Sequence, residues 1–305
     1  MRTPLPSRLP APHGSPPSAV RDARKRVAAR DARKGILCWT SMDYCPGPPR
    51  GLRVGSRGRR SSIDTDRVST GRSVDWDGFH NARDLGGLPT RSGGRTRPGA
   101  FYRSATLQLV TPRGWQQAYE AGVRTVVDLR NDDERGAEPT DSVGMTRVHV
   151  PLDGIEDTEL WRWLREEGLD GTPLYYRPFL TRRRDRVAAV MTCLARSTSG
   201  GVVFHCSAGR DRTGLVTLLL LALADVEPEA IAEDYTLSVE PLRRLSALVG
   251  RPDEQPALER VLASHGTTAQ ASLLATLEEM DVASYLHDAG VTRNDLASLR
   301  DRLVA

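Results

Sequence analysis

Short β-branched runs alternate with longer helical patterns from about residue 100 onward. Residues 123–129 and 202–204 are dominated by Val, Thr, Leu and Phe, which predicts buried strands. Phe101-Tyr102-Arg103 and residues 146–150 read as shorter strands. Residues 215–224 are almost wholly apolar and rich in Leu and Ala, which predicts a buried helix. Thr111 and Pro112 open a helix to about residue 121, with Thr as cap and Pro at the first position, and Gly122 ends it. Residues 131–135 read as a charged loop or the start of a helix, and residues 157–167 and 180–196 as helices. Beyond residue 224 the pattern stays helical. Helices open at Glu227-Pro228-Glu229 and Glu240-Pro241, and amphipathic stretches at 272–289 and 294–304 are split by Gly290. The alternation predicts an α/β fold: a central, mainly parallel sheet flanked by helices, with a helical C-terminal part. Such sheets bind ligands at their carboxyl edge.

Composition divides the chain. Residues 1–70 hold 15 Lys and Arg, 5 Asp and no Glu, a net of +10, while the remainder holds 28 basic and 34 acidic residues, a net of −6. Nine of the 20 prolines also fall in this first segment. Residues 1–70 are therefore expected to be a disordered, basic Pro/Arg-rich tail, and residues 71–305 the folded domain. A basic arm for nucleic acid or anionic lipid is the alternative reading of the tail. Every basic residue except Lys25 and Lys34 is Arg, which fits a GC-rich codon bias, so Arg content carries no nucleic-acid conclusion; no nucleic-acid partner is expected. No apolar core of about seven residues follows the early arginines, so no signal peptide is expected. The longest apolar run is too short to span a bilayer.

The chemistry concentrates between the strand at 202–204 and the helix at 215–224. The linking turn runs His205-Cys206-Ser207-Ala208-Gly209-Arg210-Asp211-Arg212-Thr213-Gly214. A loop that feeds a helix N-terminus is an anion site, because the first N–H groups lack intrahelical partners and the dipole favours negative charge. Cys206 and Arg212 bracket five residues, enough to curl the backbone into a cradle. The N–H groups of Ser207, Ala208, Gly209 and Arg210 then face a phosphoryl group. Arg212 supplies a planar fork for two phosphate oxygens. Cys206 lies where helix end and arginine stabilise a thiolate, an attacking nucleophile. Thr213 is placed to donate its hydroxyl to that sulfur, and His205 to brace the loop. Of the other cysteines, Cys38 and Cys45 fit no common zinc spacing and Cys193 reads as core, so a disulfide framework is not indicated. A reducing, cytoplasmic compartment suits such a thiol.

Residues 205–214 resemble the phosphate-binding loop of cysteine-dependent phosphatases. More narrowly, they resemble the bacterial tyrosine phosphatases with His-Cys-x-x-Gly-Lys-Asp-Arg-Thr-Gly. Asn81-Ala82-Arg83-Asp84-Leu85-Gly86-Gly87, then Tyr102-Arg103-Ser104, then Val126-Val127-Asp128-Leu129-Arg130 follow the order of the same group. The resemblance covers roughly residues 74–305. It implies a phosphatase-like fold and a phosphomonoester hydrolase that forms a phospho-cysteine, with no metal or cofactor. Arg210 stands where the family usually has Lys, which bears on substrate preference.

The resemblance implies Asp211 as the general acid. Asp84 and Asp128 are held in reserve, Asp84 with a structural role in the turn at Gly86-Gly87 as its other reading. Trp161, Trp163, Tyr175 and Tyr176 read as packing or as a cover over the site. The run Arg182-Arg183-Arg184 reads as a solvated face or a positive rim. The expected substrate is a phosphotyrosine protein. A phosphoinositide, met by Arg210 and Arg212, is the alternative, and a non-catalytic phosphate-binding module the reading from another class. The sequence leaves the oligomeric state open.

Overall fold

Five strands form the sheet of the computed structural model, which describes residues 71–136 and 144–304. The expected tail, with Cys38 and Cys45, lies outside the described residues. The strands are β1 (Arg83–Asp84), β2 (Phe101–Ser104), β3 (Val123–Asp128), β4 (Thr146–His149) and β5 (Gly201–His205). Their spatial order is β1-β2-β5-β3-β4. β5 pairs in parallel with β2 and β3, and β4 in parallel with β3; β1 is antiparallel at one edge. The mainly parallel sheet is thus as expected.

Eleven helices accompany it among the described residues: α1 (Pro112–Glu120), α2 (Thr158–Glu166), α3 (Tyr176–Arg182), α4 (Arg184–Ala195), α5 (Asp211–Leu223), α6 (Pro228–Thr236), α7 (Val239–Leu248), α8 (Gln255–Ser264), α9 (Ala269–Glu278), α10 (Val282–Asp288) and α11 (Arg293–Leu303). The period of two along the strands sorts side chains into two layers. Phe101, Val127, Val202 and Phe204 join the larger core with α4, α5 and α11. Tyr102, Val126 and Val203 join the smaller one with Trp115 and Ala118 of α1. All five residues of β5 are buried, which is why that strand reads as an unbroken apolar run. α5 is buried almost all round, so it shows no polar stripe.

Three helical expectations need correction. The span 180–196 is not one helix: Arg183 (φ −117, ψ 45) separates α3 from α4. Its guanidinium turns away to hold Gly154 O and Glu156 Oε1, each at 2.6 Å. The arginine run there is not simply a solvated face, since Arg183 is 6% exposed. The span 272–289 is also two helices, because the Asp281 carboxylate accepts the Ser284 N–H and caps α10. α5 begins at Asp211, four residues before the apolar run, and α8 was not foreseen.

Candidate active site

The loop Cys206 to Arg210 leaves the carboxyl end of β5, at the centre of the sheet. Its carbonyls are tied from outside, one after another. Cys206 O accepts from His205 Nδ1 (3.1 Å) in the tautomer protonated there, and Ser207 O from the Thr106 N–H (2.9 Å). Ala208 O accepts from Asn81 Nδ2 (3.0 Å). Gly209 O accepts from Arg103 Nη2 (2.7 Å) and Asn81 Nδ2 (3.2 Å). No described peptide bond is cis, so each N–H that follows points the opposite way from its carbonyl. The N–H groups of Ser207, Ala208, Gly209 and Arg210 therefore each point away from the group that ties the preceding carbonyl, and Gly209 N reaches Cys206 Sγ at 3.2 Å. Only glycine fits at 209: φ is +68°, and a Cβ would lie 2.3 Å from Ser104 O.

Arg212 sits in the first turn of α5. Both of its Nη atoms meet the Glu134 carboxylate, Nη2 at 2.7 Å from Oε1, and Nη1 lies 3.2 Å from Asp153 Oδ2. Glu134 is fixed in turn by the Ser207 hydroxyl (2.7 Å) and the Asn131 N–H (2.9 Å). Burial opposes its charge, but the Arg212 hydrogen bond and charge outweigh this and hold it below the ordinary range. Sequence reasoning passed over Glu134 as part of a charged loop and did not single out Asp153. Burial pushes Asp153 up to about 6, with Glu134 and Asp170 adding to the rise and Arg212 offsetting part of it. Asn131 Nδ2 donates to Asp153 Oδ2 (2.9 Å), and Trp161 Nε1 to its carbonyl (3.1 Å). Asp153 and Asp170 line a cavity of about 130 Å³ with Trp161, Ile155 and Arg165.

The other expected site residues divide. Asp211 accepts from Arg210 Nε (3.1 Å) and the Tyr235 hydroxyl (3.3 Å) on the same Oδ1. Arg210 also reaches Gly171 O (3.4 Å) and interacts electrostatically with Glu254. Asp84 is away from the cradle, accepting the Gly86 and Gly99 N–H groups at 2.8 Å each, the turn role. Asp128 lies across from His205 in the sheet register and pairs with Arg130 at 2.7 Å. Burial opposes its charge, but His205 and Arg130 win and hold it down at about 2. A carboxyl so acidic makes a poor proton donor near neutral pH. The Thr213 hydroxyl is buried without a hydrogen-bond partner, so its expected bond to sulfur is not formed; Gly209 N–H takes that place. Trp161, Tyr175 and Tyr176 are buried, the first two against the Phe179 ring and Tyr176 edge-on to Tyr175, while Trp163 is exposed.

A profile of the tyrosine phosphatase family matches residues 74–305. A candidate tyrosine-protein phosphatase of Cupriavidus necator is 31% identical over 249 residues, 75% of this chain and 88% of its own length. A tyrosine-protein phosphatase of Nostoc commune is 28% identical, over 67% of this chain and 74% of its own. The triple specificity protein phosphatase PtpB of Mycobacterium tuberculosis is 27% identical, over 74% of this chain and 97% of its own.

Proposed function

This chain belongs to the tyrosine phosphatase family and is a phosphomonoester hydrolase of that type, and we propose that it works through a phospho-cysteine formed on Cys206. The observation that carries this reading is the Gly209 N–H 3.2 Å from the Cys206 sulfur, in a loop whose four carbonyls are each held by a hydrogen bond. In the first step Sγ attacks phosphorus. The S–P bond forms, the bond from phosphorus to the leaving oxygen breaks, and a carboxylic acid gives that oxygen its proton. Loop N–H groups and Arg212 take up charge on the equatorial oxygens. Water then attacks phosphorus, gives a proton to the carboxylate, and the P–S bond breaks. Glu134 aligns Arg212 for this task without touching substrate.

Two carboxyls compete to be the acid. Asp211 matches the family's loop, but its Oδ1 is engaged by Arg210 and Tyr235. Asp153 lines the cavity beside Arg212 and keeps its proton to about pH 6. A phosphate dianion arriving at Arg212 adds negative charge and favours the protonated form further. Asp153 is therefore the preferred donor. Phosphotyrosine is the preferred substrate. Arg210, the residue expected to meet extra ring phosphates, is turned toward Asp211 and Gly171 and sits near Glu254. No helix of the described residues is long and apolar enough to cross a membrane. A reducing compartment such as the cytoplasm fits a free-thiol nucleophile.

The test uses a phosphotyrosine peptide and p-nitrophenyl phosphate, whose leaving group departs almost without a proton. Cys206→Ser is expected to stop turnover of both in a folded protein; activity above a few per cent would sink the mechanism. Asp153→Asn is expected to lower kcat about 10²-fold on the peptide and less than about tenfold on p-nitrophenyl phosphate, and to flatten the basic limb of the pH profile. If Asp211→Asn shows that split instead, Asp211 is the donor.

A further inference from the structure

Beneath the cradle lies a buried carboxylate with no part in that mechanism. Asp234, on α6, has no exposed surface and is met by three arginines. Arg72 Nη1 lies 2.8 Å from it, Arg83 Nε 3.0 Å and Arg103 Nη1 2.6 Å. Two of the three reach on to the loop. Arg103 turns Nη2 to Gly209 O at 2.7 Å. Arg83 gives Nη1 to Asn81 Oδ1 at 2.8 Å, and the Asn81 amide holds Ala208 O and Gly209 O. Arg72 stops short: its other bond is to Asp84 O.

Resting on the reading of Cys206 and its loop as the catalytic cradle, we infer that Asp234 is a positioning residue that sets the loop through two guanidinium arms. The physical case has three parts. The N–H directions in the cradle follow from where the carbonyls are tied, and two consecutive carbonyls are tied to groups that Asp234 orients. Asn81 is held at φ +49°, a conformation open to Asn but sparsely populated, so its neighbours must hold it there. Three guanidinium groups share one carboxylate, so the cluster is over-positive. Arg83 is pushed down to about 10 by burial and by the Arg103 charge, and Arg103 Nε is buried without a partner. Without Asp234, Arg83 and Arg103 would repel each other and swing, and the carbonyls they hold would turn with them.

The experiment reads phosphate binding separately from folding. Wild type is first assayed for p-nitrophenyl phosphate turnover and for competitive inhibition by inorganic phosphate. Absence of either overturns the cradle reading itself and is seen before any variant is made. Asp234→Asn is expected to raise the phosphate inhibition constant about tenfold or more and to lower kcat/KM about 10²-fold, the scale of an ångström-sized misplacement. Arg103→Lys keeps the charge but cannot span both partners, so it should show the same direction of change; it decides the matter if Asp234→Asn does not fold. Arg72→Gln touches the same carboxylate but not the loop. It is expected to lower the melting temperature while leaving the inhibition constant within about twofold. The inference is overturned if folded Asp234→Asn or Arg103→Lys binds phosphate as wild type does. It also fails if Arg72→Gln weakens phosphate binding as much as they do, because the cluster would then stabilise the fold in general.

Discussion

Asp153 meets opposing demands. Its carboxyl is pushed from the ordinary 3.8 to about 6, chiefly by burial. The folded protein thus holds this proton more tightly than the unfolded chain. The resulting stability is fully present below about pH 4 and is lost as pH rises through about 6. A rise of roughly two pH units corresponds to about 3 kcal/mol as an upper scale. Asp153→Asn removes a charge that neutral pH forces into a buried place, so it is expected to raise the melting temperature at pH 7.5 and leave it unchanged at pH 4. Thermal unfolding at the two pH values checks this; an equal shift at both would show that the charge is not responsible. Asp128 has the reverse sign, held at about 2, and its contribution is lost only as pH falls from about 4 through 2. Cys206, Gly209 and Arg212 were legible in the sequence because they sit within seven residues of one another and their roles follow from a turn entering a helix. Glu134, Asp153 and Asp234 were not. Glu134 and Asp153 meet Arg212 from 78 and 59 positions away, and Asp234 meets Arg103, which holds the loop, from 131 positions away; no local spacing encodes such meetings.

At the scale of elements, strands and the Leu-rich helix were legible because burial on every side leaves an unbroken apolar record. Breaks between helices were less so. The 180–196 span keeps helical composition straight through Arg183, and what ends α3 is a bond made elsewhere, to Gly154 O. That bond adjoins Asp153. The ion pairs of Arg183 go to Glu156 and Asp185, whose side chains are 57% and 64% exposed, so they contribute little. The bond to the Gly154 carbonyl, which also accepts the Asp157 N–H at 3.0 Å, matters more, since a buried hydrogen bond from a charged donor contributes about 1.5–3 kcal/mol. Arg183→Ala is accordingly expected to destabilise by that amount in denaturant titrations, at low salt and at about 1 M salt alike. A loss that disappears at high salt would mean the surface ion pairs carry it.

Across the whole molecule the charge is segregated, a net of +10 before residue 71 and −6 after it. The first segment's composition leads to the expectation that it adds nothing to a core. Deleting residues 1–70 is expected to leave the melting temperature and kcat/KM nearly unchanged, and a large drop in either would show that this segment belongs to the catalytic domain. The strand order also sets a clock. A ribosome extends a chain by about 5–20 residues per second. β1 to β4 are made first, yet β5 lies between β2 and β3. After Asp128 is added, roughly 4–15 s pass before Gly201 follows at that pace. Through that interval β2 and β3 each present an unpaired edge, the kind of surface that recruits another chain. A chain cut short before Gly201 is then an aggregation hazard, not a weaker enzyme, and nascent protein is most vulnerable between its fourth strand and its fifth.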